Sequence, residues 1–101
     1  MNSNPMDTAT TFDDFQAAAL AAGFDEVLVR EWPAGQVVGE HTHPFVAQAR
    51  VVRGSLSLRC GGFTSHIPAG GGFLLERDLP HQEQYGPDGA TLWVARRSAA
   101  A

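Results

Sequence analysis

GQVVGEHTHPFVAQARVVRG, running from Gly35 to Gly54, is the stretch whose reading decides the fold. It is rich in valine, closed by glycine at both ends and interrupted by Pro44, which marks strands separated by tight connections. His41 and His43 stand one residue apart. On a strand, residues i and i+2 share a face, and each step advances about 3.3 Å, so their Cα atoms lie roughly 6–7 Å apart. Both rings can then reach one ion. The same spacing also suits two imidazoles on an ordinary strand, and the rest of the chain has to decide between the two.

On either side, short β-forming runs alternate with turn residues. EVLVREW, QVVGEHTH, AQARVVR, SLSLRC, FTSHI, FLLE, HQEQY and ATLWVARR are separated by PAG, Pro44, Gly54, GG, PAGGG, RDLP and GPDG. Eight short strands at this spacing predict an all-β fold, a small antiparallel barrel or jelly roll. One segment reads differently. Thr11 can cap a helix over residues 11–22, with Asp13 and Asp14 favourable in the first turn and Gly23 as its stop. Phe12, Phe15, Ala19 and Leu20 fall near one face, which is expected to pack on the barrel as a lid or flank. Residues 1–10 are expected to form a disordered tail, and residues 11–98 a single domain.

The formal net charge is −4, which argues against nucleic acid or an anionic membrane as the main partner. Cys60 is the one cysteine, so no internal disulfide can form, and it is expected as a small buried hydrophobe. No apolar run is long enough to span a bilayer, and MNSNPMDTAT lacks the features of a signal peptide. These readings predict a cytoplasmic protein. Exposed sheet edges predict a homodimer.

A third histidine bears on the reading of the first two. His81 opens a strand after the tight RDLP turn, eleven residues beyond Gly70. Three neutral imidazoles with open positions suit a divalent transition metal such as Zn²⁺, Fe²⁺, Ni²⁺ or Mn²⁺. Here the chain resembles a small single-domain cupin. Gly35, His41, His43 and Gly54 match the family's first motif, G-x5-H-x-H-x3,4-E-x6-G, and Gly70 and His81 match the second, G-x5-P-x-G-x2-H-x3-N. The resemblance implies a jelly-roll barrel with a metal held by the three histidines. The family's glutamate ligand is missing: its place falls on Ala47 with the shorter spacing and on Gln48 with the longer. Counting back from Gly54 favours Ala47, whereas Gln48 has an oxygen that can ligate. Glu76, Asp78 and Tyr85 replace the second motif's Pro, Gly and Asn.

Other residues group around this expected site. With His81 inward, alternation brings Glu83 and Tyr85 to the same face. Glu83 is then an extra ligand, a general base, or a supporting acceptor for a ligand imidazole, and Tyr85 a donor to substrate. With Gln48 inward, Arg50 follows and would suit a carboxylate-bearing ligand; in the other register Arg50 faces out. Trp32, Trp93, Phe45, Phe63 and Phe73 are expected in the core or at a dimer interface, and His66 in solvent. GGFTSHIPAGGG lacks the Lys-Ser/Thr of a phosphate loop, and its glycines are read as turn formers. Three readings fit: a metal-dependent oxygenase, isomerase or lyase acting on a small oxygen-rich metabolite, a non-catalytic module that binds or senses a small molecule, or a metal-free barrel whose histidines are structural.

Overall fold

The computed structural model describes Ala9 and residues 11–98. One helix, α1 (Phe12–Ala21), precedes six strands: β1 (Glu26–Trp32), β2 (Val37–His41), β3 (Val46–Cys60), β4 (Phe63–Pro68), β5 (Gly72–Leu75) and β6 (His81–Arg97). All pairings are antiparallel, in the order β1-β6-β3-β4, with β2 also on β6 and β5 also on β3. This is the expected all-β jelly roll. The expected tail lies outside the described residues apart from Ala9, which is buried with Phe15 and Ala19.

The eight expected runs become six strands because two of the anticipated breaks are bends. β3 passes through Gly54, and β6 passes through GPDG. Gly54 pairs with Ala90 and Leu56 with Tyr85, so Gly86–Gly89 bulge opposite Ser55 alone. A bulge of this kind tolerates Pro87 and turns the strand sharply. Gly54 and Gly89 both take positive φ, 76° and 70°, and a Cβ on Gly54 would collide with the Gly89 carbonyl oxygen. The corner folds each long strand into two arms. One half of the barrel is β1, the end of β6, the start of β3 and β5; the other is β2, the start of β6, the end of β3 and β4.

Alternation along β3 separates two buried layers. Ala47, Ala49 and Val51 point into the barrel with Leu75, Leu92 and Val94, while Val46 points outward beneath the helix with Ala95. Thr11 caps α1 by accepting a hydrogen bond from the Asp14 N–H at 3.1 Å. At the other end Gly23 and Phe24 donate to the Leu20 and Ala19 carbonyls, with Gly23 at φ 96°, a glycine-dependent stop. Phe12 and Phe15 meet the Trp93 ring at 5.9 and 5.8 Å. Burying a side chain such as Phe15 contributes about 1.5–3 kcal/mol. Leu20 is 53% exposed, contrary to expectation, because the buried stripe is narrow and centres on Phe15 and Ala19. The helix is a flank on the barrel's outer face.

Of the aromatic residues, Phe63 is 83% exposed at the β3–β4 hairpin, outside the core. Cys60 is only partly buried, because it closes β3 at that same hairpin. His66 is exposed, as expected. Among the described residues, no helix is long and apolar enough to cross a membrane.

Candidate metal centre and ligand cavity

His41 ends β2 and His81 opens β6, and the two are direct cross-strand partners. Their ring centres lie 4.3 Å apart. His43 falls beyond the end of β2, not on it as expected. Pro44 has no N–H to donate to a ladder, and the Asp78 N–H donates to the His43 carbonyl at 2.9 Å. Asp78 makes that contact from φ 58°, a left-handed conformation that aspartate tolerates where the motif has glycine. The His43 ring lies 4.9 Å from His81 and 6.2 Å from His41, stacked on Phe45 at 4.2 Å. Two neighbouring rings and a third some forty residues away in the sequence thus converge.

Each ring is oriented the same way. The Nδ1 atoms of His41, His43 and His81 lie 2.7, 3.0 and 2.9 Å from the carbonyl oxygens of Gly39, Phe45 and Leu79. A carbonyl can only accept, so each Nδ1 carries a proton, which leaves Nε2 as the nitrogen whose lone pair could meet a metal. Burial is the main cause that holds the His43 pKa below 6.5, outweighing its hydrogen bond to Phe45; His81, His41 and Arg96 push it the same way. Neutral His43 is the form that can donate a lone pair.

Glu83 completes the cluster. Its Oε2 is 3.6 Å from His41 Nε2 and 3.8 Å from His81 Nε2, while Tyr85 donates to its Oε1 at 2.5 Å. The Nε2 separations are too long for hydrogen bonds. Ligand atoms about 2.1 Å from one ion lie roughly 3.0–3.4 Å apart, so around a metal the two Nε2–Oε2 distances would shorten by a few tenths of an ångström. The donor atoms of His41, His81 and Glu83 all lie within 4.8 Å of one another. This nitrogen and oxygen set fits a first-row divalent ion. His43 is not one of this group, its ring centre lying 4.9 Å from that of His81 and 6.2 Å from that of His41.

The cluster faces a cavity of about 160 Å³, far above the roughly 10–15 Å³ that one water needs. Its walls include Ala47, Ala49, Leu75, Leu92 and Val94, with Phe45, Phe73, Arg30 and Arg96 also lining it. Gln48 and Arg50 are absent from this lining, so of the two registers the one with Ala47 inward and Arg50 outward is the one observed. Val46 is committed to the helix side, so alternation sends Gln48 and Arg50 outward and Ala47 and Ala49 inward. Tyr85 is also corrected as a donor to substrate: its hydroxyl is engaged by Glu83, and its ring stacks on Trp32 at 4.8 Å. Burial first, then the Glu83 hydrogen bond, raise its pKa well above 10.0. Sequence reading missed Arg30 and Arg96. Arg30 shares its strand face with Leu28 and Trp32, and Arg96 shares its face with Leu92 and Val94, an alternation that could have placed both.

Comparison with known proteins agrees with this architecture. Among solved structures, the chain resembles the Schizosaccharomyces pombe Cnp3 cupin domain, with TM-score 0.67 and 17% identity over 75% of this chain and 57% of that one. It also resembles the DMSP lyase DddQ from Ruegeria pomeroyi DSS-3, with TM-score 0.65 and 19% identity over 70% of this chain and 36% of that one. An RmlC-like cupin from Shewanella frigidimarina NCIMB 400 gives TM-score 0.62 and 22% identity over 73% and 68%. The chain spans 57% and 38% of the first two structures that it matches. No curated protein matches it. The fold is that of the cupins, and residues 23–100 match the AraC-like ligand binding domain: the chain belongs to that family.

Proposed function

We propose that this protein is a metal-dependent enzyme acting on a small oxygen-rich metabolite, with His41, His81 and Glu83 as ligands and His43 as the fourth. The observation that carries the reading is that His41 and His81, each with Nδ1 tied to a carbonyl, turn Nε2 toward one carboxylate oxygen of Glu83, with the His43 ring oriented by a carbonyl in the same way beside them. A divalent transition metal such as Zn²⁺, Fe²⁺, Ni²⁺ or Mn²⁺ supplies Lewis-acid polarisation of a bound oxygen, or dioxygen activation with iron. The chain's own residues do the rest. Tyr85 fixes Glu83 through Oε1, leaving Oε2 for the cavity. The alanine, leucine and valine walls exclude water and hold the ligand's carbon skeleton.

Elemental analysis after chelation and reloading tests the site. About one ion per chain, lost in His81→Ala, is expected. A protein that never retains metal overturns the proposal. Turnover of diketones, hydroxy acids or sugar acids by the loaded protein separates the enzyme from the second reading, a non-catalytic binding module. The family match to a ligand binding domain favours that alternative. Tight binding without product over long incubation would establish it. A homodimer through a sheet edge belongs to the same proposal, supported by Val29, 45% exposed on edge strand β1.

A further inference from the structure

Two arginines enter the cavity from the half of the barrel opposite the histidines. Arg96 follows Leu92 and Val94 on the inward face of β6, and Arg30 lines the cavity from β1. Arg96 pairs through Nη1 with Glu26 at 3.1 Å, and its guanidinium lies 4.8 Å from the Phe45 ring centre. Its Nε is buried and has no hydrogen-bond partner among the described residues. A buried donor left unmet is costly, and native structures rarely keep one without a purpose. Arg30 lies over Trp32 at 4.9 Å and makes no hydrogen bond or ion pair among the described residues. Phe45 measures the span to the metal centre. Its other stacking partner is His43 at 4.2 Å, so the Arg96 guanidinium lies within about 9 Å of that imidazole, the two spans laid end to end. Between them the walls are apolar.

We infer that the cavity takes a small monocarboxylate with a short apolar body, its carboxylate held by Arg96 while Arg30 adds a second positive charge. The guanidinium fork matches a planar carboxylate, and both arginines line the same cavity. The apolar walls and a cavity of about 160 Å³ suit a short carbon skeleton. A further oxygen at the far end would face the histidines, and that part alone rests on the metal reading above.

The test uses the full chain stripped of metal, so its outcome does not depend on the metal site. The chain is titrated with 4-methylpentanoate and with 4-methylpentanamide, followed by calorimetry and by amide shifts around Arg96. The carboxylate is expected to bind about tenfold more tightly or better, the margin of a charge-assisted over a neutral contact. Arg96→Gln is expected to erase that preference, Arg30→Gln to weaken it about threefold, and Arg96→Lys to restore part of it. Arg30→Gln leaves the Arg96–Glu26 pair intact, so it and the unaltered chain carry the test if Arg96→Gln fails to fold. Equal affinity for acid and amide, no carboxylate binding at millimolar concentration, tighter binding of inorganic phosphate, or an unchanged preference in folded Arg96→Gln would each overturn the inference.

Discussion

The Tyr85 hydroxyl donates a 2.5 Å hydrogen bond to Oε1 of Glu83, and both residues lie on the strand that opens with His81. One oxygen of the carboxylate is therefore spoken for, and the other is turned toward two histidines. A partner that orients a ligand in this way typically governs metal affinity by about 10–100-fold. Tyr85→Phe keeps the ring against Trp32 and removes only the hydroxyl. Metal affinity is expected to fall by about that factor, read by competition with a chelating dye, with a stability loss of about 1 kcal/mol.

Tyr85 is also the chain's only tyrosine, so its ionisation can be followed at 295 nm without interference. Burial and Glu83 raise its pKa in the folded chain, whereas the unfolded chain ionises near 10.0. Below pH 10 both states keep the proton, and this group adds no pH dependence. Above it the unfolded chain holds fewer protons, so stability falls as pH rises. The folded protein is expected to show no phenolate step near pH 10, and Tyr85→Phe to lose less stability than the parent between pH 10 and 11.

Gln48 carries an oxygen and stands near the place of a missing ligand, yet it faces away from the cavity. Gln48→Ala is expected to leave metal content unchanged and stability within about 0.5 kcal/mol, the usual range for a change that touches no buried network. Glu83→Gln keeps the shape and removes the charge, and a drop in metal affinity of at least about tenfold is expected. Titration of both variants with the same ion distinguishes the two positions.

The corner at Gly54 has little tolerance. Alanine there meets both the positive φ and the Gly89 carbonyl. Strain at such a backbone position costs about 1–3 kcal/mol before the collision is added. Chemical denaturation of Gly54→Ala is expected to show a loss above about 3 kcal/mol, or no folded state.

Phe15→Ala probes the helix. Removing a fully buried phenylalanine costs about 3–5 kcal/mol. Because α1 covers the barrel's outer face, the folded fraction is expected to bind metal with unchanged affinity. A parallel loss of affinity would make the helix part of the site.

Much of this was legible in the sequence because period-two alternation and glycine punctuation are local signals. All eight runs between Glu26 and Arg97 reappear as arms of the barrel. The convergence of His41, His43 and His81 was legible through motif spacing. The register of β3 was harder. Ala47, Ala49 and Val51 alternate with Gln48 and Arg50, which points the small residues inward; but a barrel with a polar site inside can also take the polar set, and only the helix resting on Val46 settles the parity. GPDG reads as a reversal because the same residues serve a hairpin and a bulge, and the choice depends on Ser55 across the sheet. Ion geometry at Glu83 depends on side-chain direction, which no spacing rule conveys.

The fold of β6 over its own corner has a mechanical consequence. His81 and Glu83 sit on one arm of this strand and Arg96 on the other, with the Gly86–Gly89 bulge between them. A molecule gripped at both extremities would therefore brace one polypeptide segment against itself, as a strut across an elbow. Occupancy would be felt first as slower amide exchange at that elbow, in residues that never touch the guest.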